Sequence, residues 1–231
     1  MKILAVDTAT KSCSVAVMDE QSVISEYTVN HKETHSRFLM GMIHAILDIC
    51  RLTVIDLDGF AVTIGPGSFT GLRIGLSAIK GFALATGKPL VGISTLEVLA
   101  YQISGSDKLI CPMMDARRDE VYTARYYFND QKLECQQLPQ VASPEKAIEN
   151  INVPCIMVGD GSMRYQALIK SRLGSMGIFA NFTQQVIRAS TVGHIAMQRF
   201  TLNDTDDVSR IEPFYIRKSD AEKNLKPTLP G

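Results

Sequence analysis

The sequence predicts an α/β protein of two lobes, each with the element order βββαβα. Three observations carry this. Two β-rich runs, KILAVD (2–7) and KLICPMMD (108–115), each end on an aspartate, Asp7 and Asp115. Each is followed by two more strand-like stretches, and then by segments that alternate between helical and strand periods. The polar ISGSDK stretch (103–108) separates the two series and reads as a linker.

In the first lobe, taken as 1–104, SCSVAVM (12–18) and SVISEYTV (22–29) complete an antiparallel meander with the first strand. THSRFLMGMIHAILDICRL (34–52) places Phe38, Leu39, Met42, Ile43, Ile46, Leu47 and Cys50 at helical spacing, with Thr34 as N-cap. DGFAVTI (58–64) is a buried strand, and FTGLRIGLSAIKGFALATG (69–87) is a helix stopped by Gly87. PLVGI adds a strand and STLEVLAYQI a helix. In the second lobe, 105–189, EVYTARYYF (120–128) and KLECQQLPQV (132–141) are strands. SPEKAIEN (143–150) opens a helix with Ser143 as N-cap and Pro144 at its first position. VPCIMVGDG (153–161) is a strand, and SMRYQALIKSRLG (162–174) a helix. The 190–217 segment holds a further helix expected to pack back on the first lobe, and 218–231 reads as a loose polar tail.

Composition excludes several classes. Lys plus Arg and Asp plus Glu both number 24, so the chain carries no net charge to grip nucleic acid nonspecifically on its own. Five cysteines form no CxxC, which suits free thiols in a reducing compartment. MKILAVD lacks the apolar core of a signal peptide, and no apolar run is long enough to span a bilayer. A cytoplasmic protein without membrane contact is expected.

The segment IGPGSFTGLRIG (64–75) suggests a phosphate loop between strand and helix. A P-loop needs GxxxxGK[ST], whereas Leu72 and Arg73 follow Gly71 here, and Gly65 to Gly71 is one residue too long. The glycines are better read as a tight turn and a close-packing helix. That helix has apolar residues on more than one face, which predicts burial on two sides, the second against another protein. HKETH places His31 and His35 four apart, but the glutamate of HExxH falls one place late, at Glu33. A solvated strand-to-helix loop is expected there, and no metal site. Asp7 and Asp115 resemble the paired aspartates that hold a magnesium nucleotide in two-lobed phosphotransfer folds. Thr8 and Thr10 offer hydroxyls after Asp7, while bulky Arg117 and Arg118 follow Asp115. Weak ATP or ADP binding at Asp7, Thr8, Thr10 and Asp115 stays open, as does a small ATPase or phosphotransferase built on the two aspartates. His44, His194 and Glu97 assemble into no catalytic set, and no catalytic residue is assigned.

ILAVDTATKSCSVAV, THSRFL, GPGSFTGLRIG, GISTLEVLA, DARRDEVYTARY and PFYIR occur in this order over residues 1–217. In them the chain resembles the TsaB (YeaZ) family. The resemblance implies an actin/Hsp70/sugar-kinase-like (ASKHA) fold. It also implies a noncatalytic subunit of the machinery that places threonylcarbamoyl on N6 of the adenosine beside the anticodon, in tRNAs reading ANN codons. The implied partners are the catalytic paralogue TsaD, the ATPase TsaE, tRNA through the complex, and a second copy of the chain when TsaD is absent. The catalytic paralogues carry an HxxxH metal motif where this chain has Thr95 and Leu99. The family's partner surface comes from the first two helices, here 34–51 and 69–87. This marks Phe38, Leu39, Met42, Ile43, Ile46, Leu72, Gly75, Leu76, Ile79 and Phe82 as candidate contacts.

Overall fold

The computed structural model describes residues 1–30 and 35–217. The first lobe runs β1 (Lys2–Asp7), β2 (Ser12–Asp19), β3 (Val23–Asn30), α1 (His35–Cys50), β4 (Gly59–Gly65), α2 (Phe69–Thr86), β5 (Leu90–Ser94) and α3 (Thr95–Tyr101). The second runs β6 (Leu109–Asp115), β7 (Val121–Asn129), β8 (Lys132–Ala142), α4 (Pro144–Ala147), β9 (Cys155–Val158), α5 (Asp160–Arg164), α6 (Gln166–Leu173) and β10 (Gly177–Phe179). Helix α7 (Ala189–Thr201) follows.

The sheets repeat one topology, β3-β2-β1-β4-β5 and β8-β7-β6-β9-β10. In each, the first strand is antiparallel to the second and parallel to the fourth, and the fourth is parallel to the fifth. This duplicated sheet, with helices on its faces, is the ASKHA architecture. Alternation along the central strands divides the core into layers. Leu4, Val6, Val15 and Val17 pack under α1 and α2 with Leu39, Ile43, Ile46, Leu76 and Ile79. Ile3, Ala5, Ala16 and Met18 face the other way, joining α3, α7 and the second sheet through Leu96, Leu99, Ile110, Met114, Tyr126 and Val192. A third layer closes the far side of the second lobe around Met113, Val121, Met157 and Ile169.

Local signals set the element ends. Ser68 caps α2 by accepting from Gly71 N at 3.3 Å, and Gly87 ends it in the left-handed region at φ 69°. Ser143 accepts from Lys146 N at 3.3 Å, with Pro144 opening α4. That helix stops after 4 residues, well short of the 143–150 reading. The 162–174 helix is in fact two helices, because Tyr165 leaves helical geometry at φ −104°, ψ 22°. Strand β10 was unforeseen. It is three residues long and defined by its pairing with β9, which a local period does not reveal.

The first turn of α7 is capped from a distance. Ser14 Oγ accepts from Ala189 N at 2.9 Å, and Glu26 accepts from Ser190 N and Oγ, each at 3.0 Å. Arg188 adds an ion pair to Glu26. All five cysteines are free, with Cys13, Cys111 and Cys155 buried, Cys50 half-buried and Cys135 exposed. No described helix is long and apolar enough to cross a membrane.

Candidate partner-binding face and the aspartate sites

Asp7 ends β1 fully buried. Its Oδ1 accepts from Thr63 Oγ1 at 2.7 Å and from Ala9 N at 3.1 Å, while Oδ2 is buried with no hydrogen bond. Burial drives its pKa up to about 7, against the opposing pull of the Thr63 and Ala9 bonds. Thr8 is also fully buried and donates to Gly71 O at 2.7 Å. The hydroxyls of Thr10 and Ser12 lie 2.8 Å apart.

The glycine loop closes over this turn. Ser68 N donates to Ala9 O at 2.7 Å, and a side chain at Gly67 would start 2.5 Å from that same carbonyl. Gly65, at φ 126°, lies against the carbonyl of Phe214 in the same way. At both glycines the space a side chain would need is filled by the chain's own backbone.

Asp115 is held separately. Its Oδ2 pairs with Arg164 Nη1 at 2.7 Å and its Oδ1 accepts from Arg117 N at 2.9 Å. Arg117, Arg118 and Asp119 then take three consecutive left-handed conformations, φ 59°, 53° and 53°, which turn β6 into β7. Both arginines are exposed. Glu120 pairs with Arg217, and Asp119 with Arg164 at 3.5 Å. Of the expected nucleotide ligands, Asp7 and Thr8 are buried within the first lobe, Thr10 is half-buried, and Asp115 pairs with Arg164.

His31 and Thr34, with the side chain of His35, lie outside the described residues, as does the 218–231 tail. Glu97 is half-buried, and burial raises its pKa while Arg199 pulls it back. His194 Nε2 meets Tyr101 Oη at 3.1 Å, and His44 is exposed on α1. Thr95 and Leu99 are both buried.

The candidate partner contacts need correcting. Leu39, Met42, Ile43, Ile46, Leu72, Leu76 and Ile79 are all buried in the chain's own core. Gly75 is buried too, directly against the Thr8 hydroxyl. Phe38 and Phe82 are half-buried, and Phe82 stacks on Phe60 at 6.1 Å between centroids. These residues join the helices to the sheet and leave the opposite side facing out.

That outer side carries Met40, Gly41, His44, Ala45, Asp48 and Ile49 on α1, and Arg73, Ser77, Gly81, Leu84 and Ala85 on α2. Ile74 and Ala78 flank it half-buried. Met40, Ile49 and Leu84 are 51%, 62% and 68% exposed. Small residues recur four apart, at 41 and 45 and at 77, 81 and 85. Gly41 and Gly81 sit mid-helix with open space around them. The signal for this face was available as glycine and alanine at helical spacing opposite the large apolar stripe.

The segment 211–217 straps across the start of α2. Phe214 N donates to Ile64 O at 2.7 Å, Lys80 Nζ to Ile211 O at 3.1 Å, and Arg217 Nη1 to Ala116 O at 3.1 Å. Tyr215 stacks on Phe69 at 4.9 Å, tying the PFYIR and GPGSFTGLRIG motifs together.

Comparison with known proteins places this geometry in a family. The family model described as "TsaD: tRNA N6-adenosine threonylcarbamoyltransferase" matches residues 22–225. The Bacillus subtilis protein named tRNA threonylcarbamoyladenosine biosynthesis protein TsaB is 32% identical over 226 residues, 96% of this chain and 96% of its own. The Escherichia coli protein of the same name is 30% identical over 233 residues, 97% of this chain and 98% of its own. The solved structure of YeaZ from Pseudomonas aeruginosa shares the fold, with a TM-score of 0.78 at 24% identity, covering 93% of this chain and 99% of that one. The chain belongs to the TsaB (YeaZ) family, within the wider group that the threonylcarbamoyltransferase family model describes.

Proposed function

We propose that this chain works in tRNA threonylcarbamoyladenosine biosynthesis as a noncatalytic subunit, and that it docks a TsaD-type catalytic subunit on the outer faces of α1 and α2. The relatives named above are biosynthesis proteins of that modification. One observation carries the docking surface. Gly41 and Gly81 each cost a helix about 1 kcal/mol relative to alanine, and a side chain started at either would meet no described residue within 4 Å. Such glycines are explained when another pair of helices packs closely on them, with Met40, Ile49 and Leu84 covered at the edges.

The noncatalytic role rests on what occupies the aspartate sites. Asp7 is sealed and hydrogen-bonded within its own lobe, and Asp115 is engaged by Arg164. Leu99 has no ligating atom at a position where the resemblance calls for histidine. A TsaE-type ATPase and tRNA enter through the assembled complex, in the cytoplasm. The same small-residue face supports a symmetric homodimer when the partner is missing. ATP or ADP binds this chain weakly at most.

Substituting Gly81→Arg tests the surface, because its two effects have opposite signs. The isolated chain gains up to about 1 kcal/mol of stability from helix propensity. Binding of the TsaD-type partner, measured by calorimetry, falls at least tenfold. Unchanged affinity in both Gly81→Arg and Gly41→Arg would overturn this docking face.

A further inference from the structure

Arg73 lies on the outer side of α2, four residues before Ser77 and eight before Gly81, so it ends the small-residue stripe of the docking face. It is an exposed arginine that is nevertheless fixed on two sides. Its Nε donates to Tyr215 Oη at 3.0 Å, and its Cζ sits 3.8 Å from the centre of the Phe69 ring. Tyr215 is held in turn by the strap, itself bonded to Ile64, Lys80 and the Ala116 carbonyl. Nη1 and Nη2 bond to no other described residue. They border a shallow, open depression on α2 lined by Phe69, Thr70, Arg73, Ile74 and Ser77.

Solvated arginines usually lose side-chain freedom when they bind. Here the ring below and the phenol at Nε have already restricted the guanidinium. What remains on offer is a fork of two N–H-bearing nitrogens bonded to no other described residue, which matches the two oxygens of a carboxylate. The depression shares Ile74 and Ser77 with the edge of the small-residue face, so a partner seated on that face would exclude water around the pair.

We propose that Arg73 receives an aspartate or glutamate side chain of the docked partner, and that this contact sets the register of the helices. The proposal rests on the docking reading above. It also gives the strap a role: Tyr215 positions the arginine, so the C-terminal segment contributes to docking without having to touch the partner.

The test uses the full chain and the TsaD-type subunit of the same organism. Affinity is measured by calorimetry for wild type, Arg73→Ala, Arg73→Lys, Tyr215→Phe and Gly81→Arg, after thermal melts show that each variant folds. Arg73→Ala should weaken binding about ten- to hundredfold, as truncating a preorganised interface arginine does. Lysine, lacking the fork, should recover little of it, and Tyr215→Phe should lose a smaller part. Replacing interface carboxylates of the partner one at a time should reveal one whose loss adds nothing to Arg73→Ala. Binding within twofold of wild type in Arg73→Ala, with Gly81→Arg defective, overturns this inference and leaves the docking face standing. A weakened Arg73→Ala with no coupled partner carboxylate also overturns it. If neither Arg73→Ala nor Gly81→Arg changes affinity, the docking reading itself falls.

Discussion

Replacing Asp7 by asparagine should change the pH dependence of stability more than any other single substitution in the first sheet. Asparagine keeps an oxygen for the bonds from Thr63 Oγ1 and Ala9 N, and it stays neutral as the protonated acid does. The folded protein holds the Asp7 proton up to about pH 7, while the unfolded chain releases it near 3.8. Between those values the folded state binds more protons, so the contribution of this group to stability declines as pH rises. A difference of about 3 pH units corresponds to about 4 kcal/mol at most, all of it lost by pH 8. Asp7→Asn should therefore match wild type near pH 4 and exceed it by about 2 to 4 kcal/mol at pH 8. Urea unfolding of both proteins at pH 4.5, 6, 7 and 8 gives the difference, in which the other titrating groups cancel. A difference that stays flat across that range would show that the carboxylate reaches water, and the sealed β1–β2 turn would be refuted. The outcome bears on function too, since an aspartate holding a magnesium nucleotide must be ionised and would lose that grip as asparagine.

Two further outcomes separate the core from the surface. Gly75→Ala puts a methyl group against the Thr8 hydroxyl and should cost about 1–3 kcal/mol, with the Thr8→Ala double variant losing less than the two single costs combined. A simple sum in chemical denaturation would mean that the two residues do not touch. Met42→Glu and Leu76→Glu each bury an unpaired carboxylate beneath the helices and should cost about 3–5 kcal/mol, visible as a lowered melting temperature. Retained stability in either would place that residue on the outside after all.

Much of the fold was readable because it depends on local period and punctuation. Strands ending at Asp7 and Asp115, a helix begun after the glycine loop and stopped at Gly87, and the Ser143–Pro144 start all follow from neighbours in sequence. The face proposed for docking was harder to read for a physical reason. Large apolar residues announce a helix's buried stripe, and in α1 and α2 that stripe is consumed by β1, β2 and β4. A face made to receive other helices closely is built from glycine, alanine and serine, which carry little hydrophobic signal. The direction in which α2 rolls onto the sheet is fixed by Thr8, 63 residues before Gly71, and no local pattern contains that contact.

The same contact explains how a loop shaped like a phosphate cradle can serve the proposed docking surface instead. Its glycines are used up inside the chain: Gly67 against the Ala9 carbonyl, Gly65 against that of Phe214, and Gly75 against Thr8. Each lets a different backbone or side chain come close to the start of α2. Together they clamp that end between the first turn of the protein and its C-terminal strap. A helix anchored this way at its N-terminus presents a row at 73, 77, 81 and 85 on its outer side. Rigidity of that kind reduces the ordering cost of docking another pair of helices. Enlarging Gly65 or Gly67 should therefore weaken partner binding through the angle of α2, although neither residue lies on the face itself.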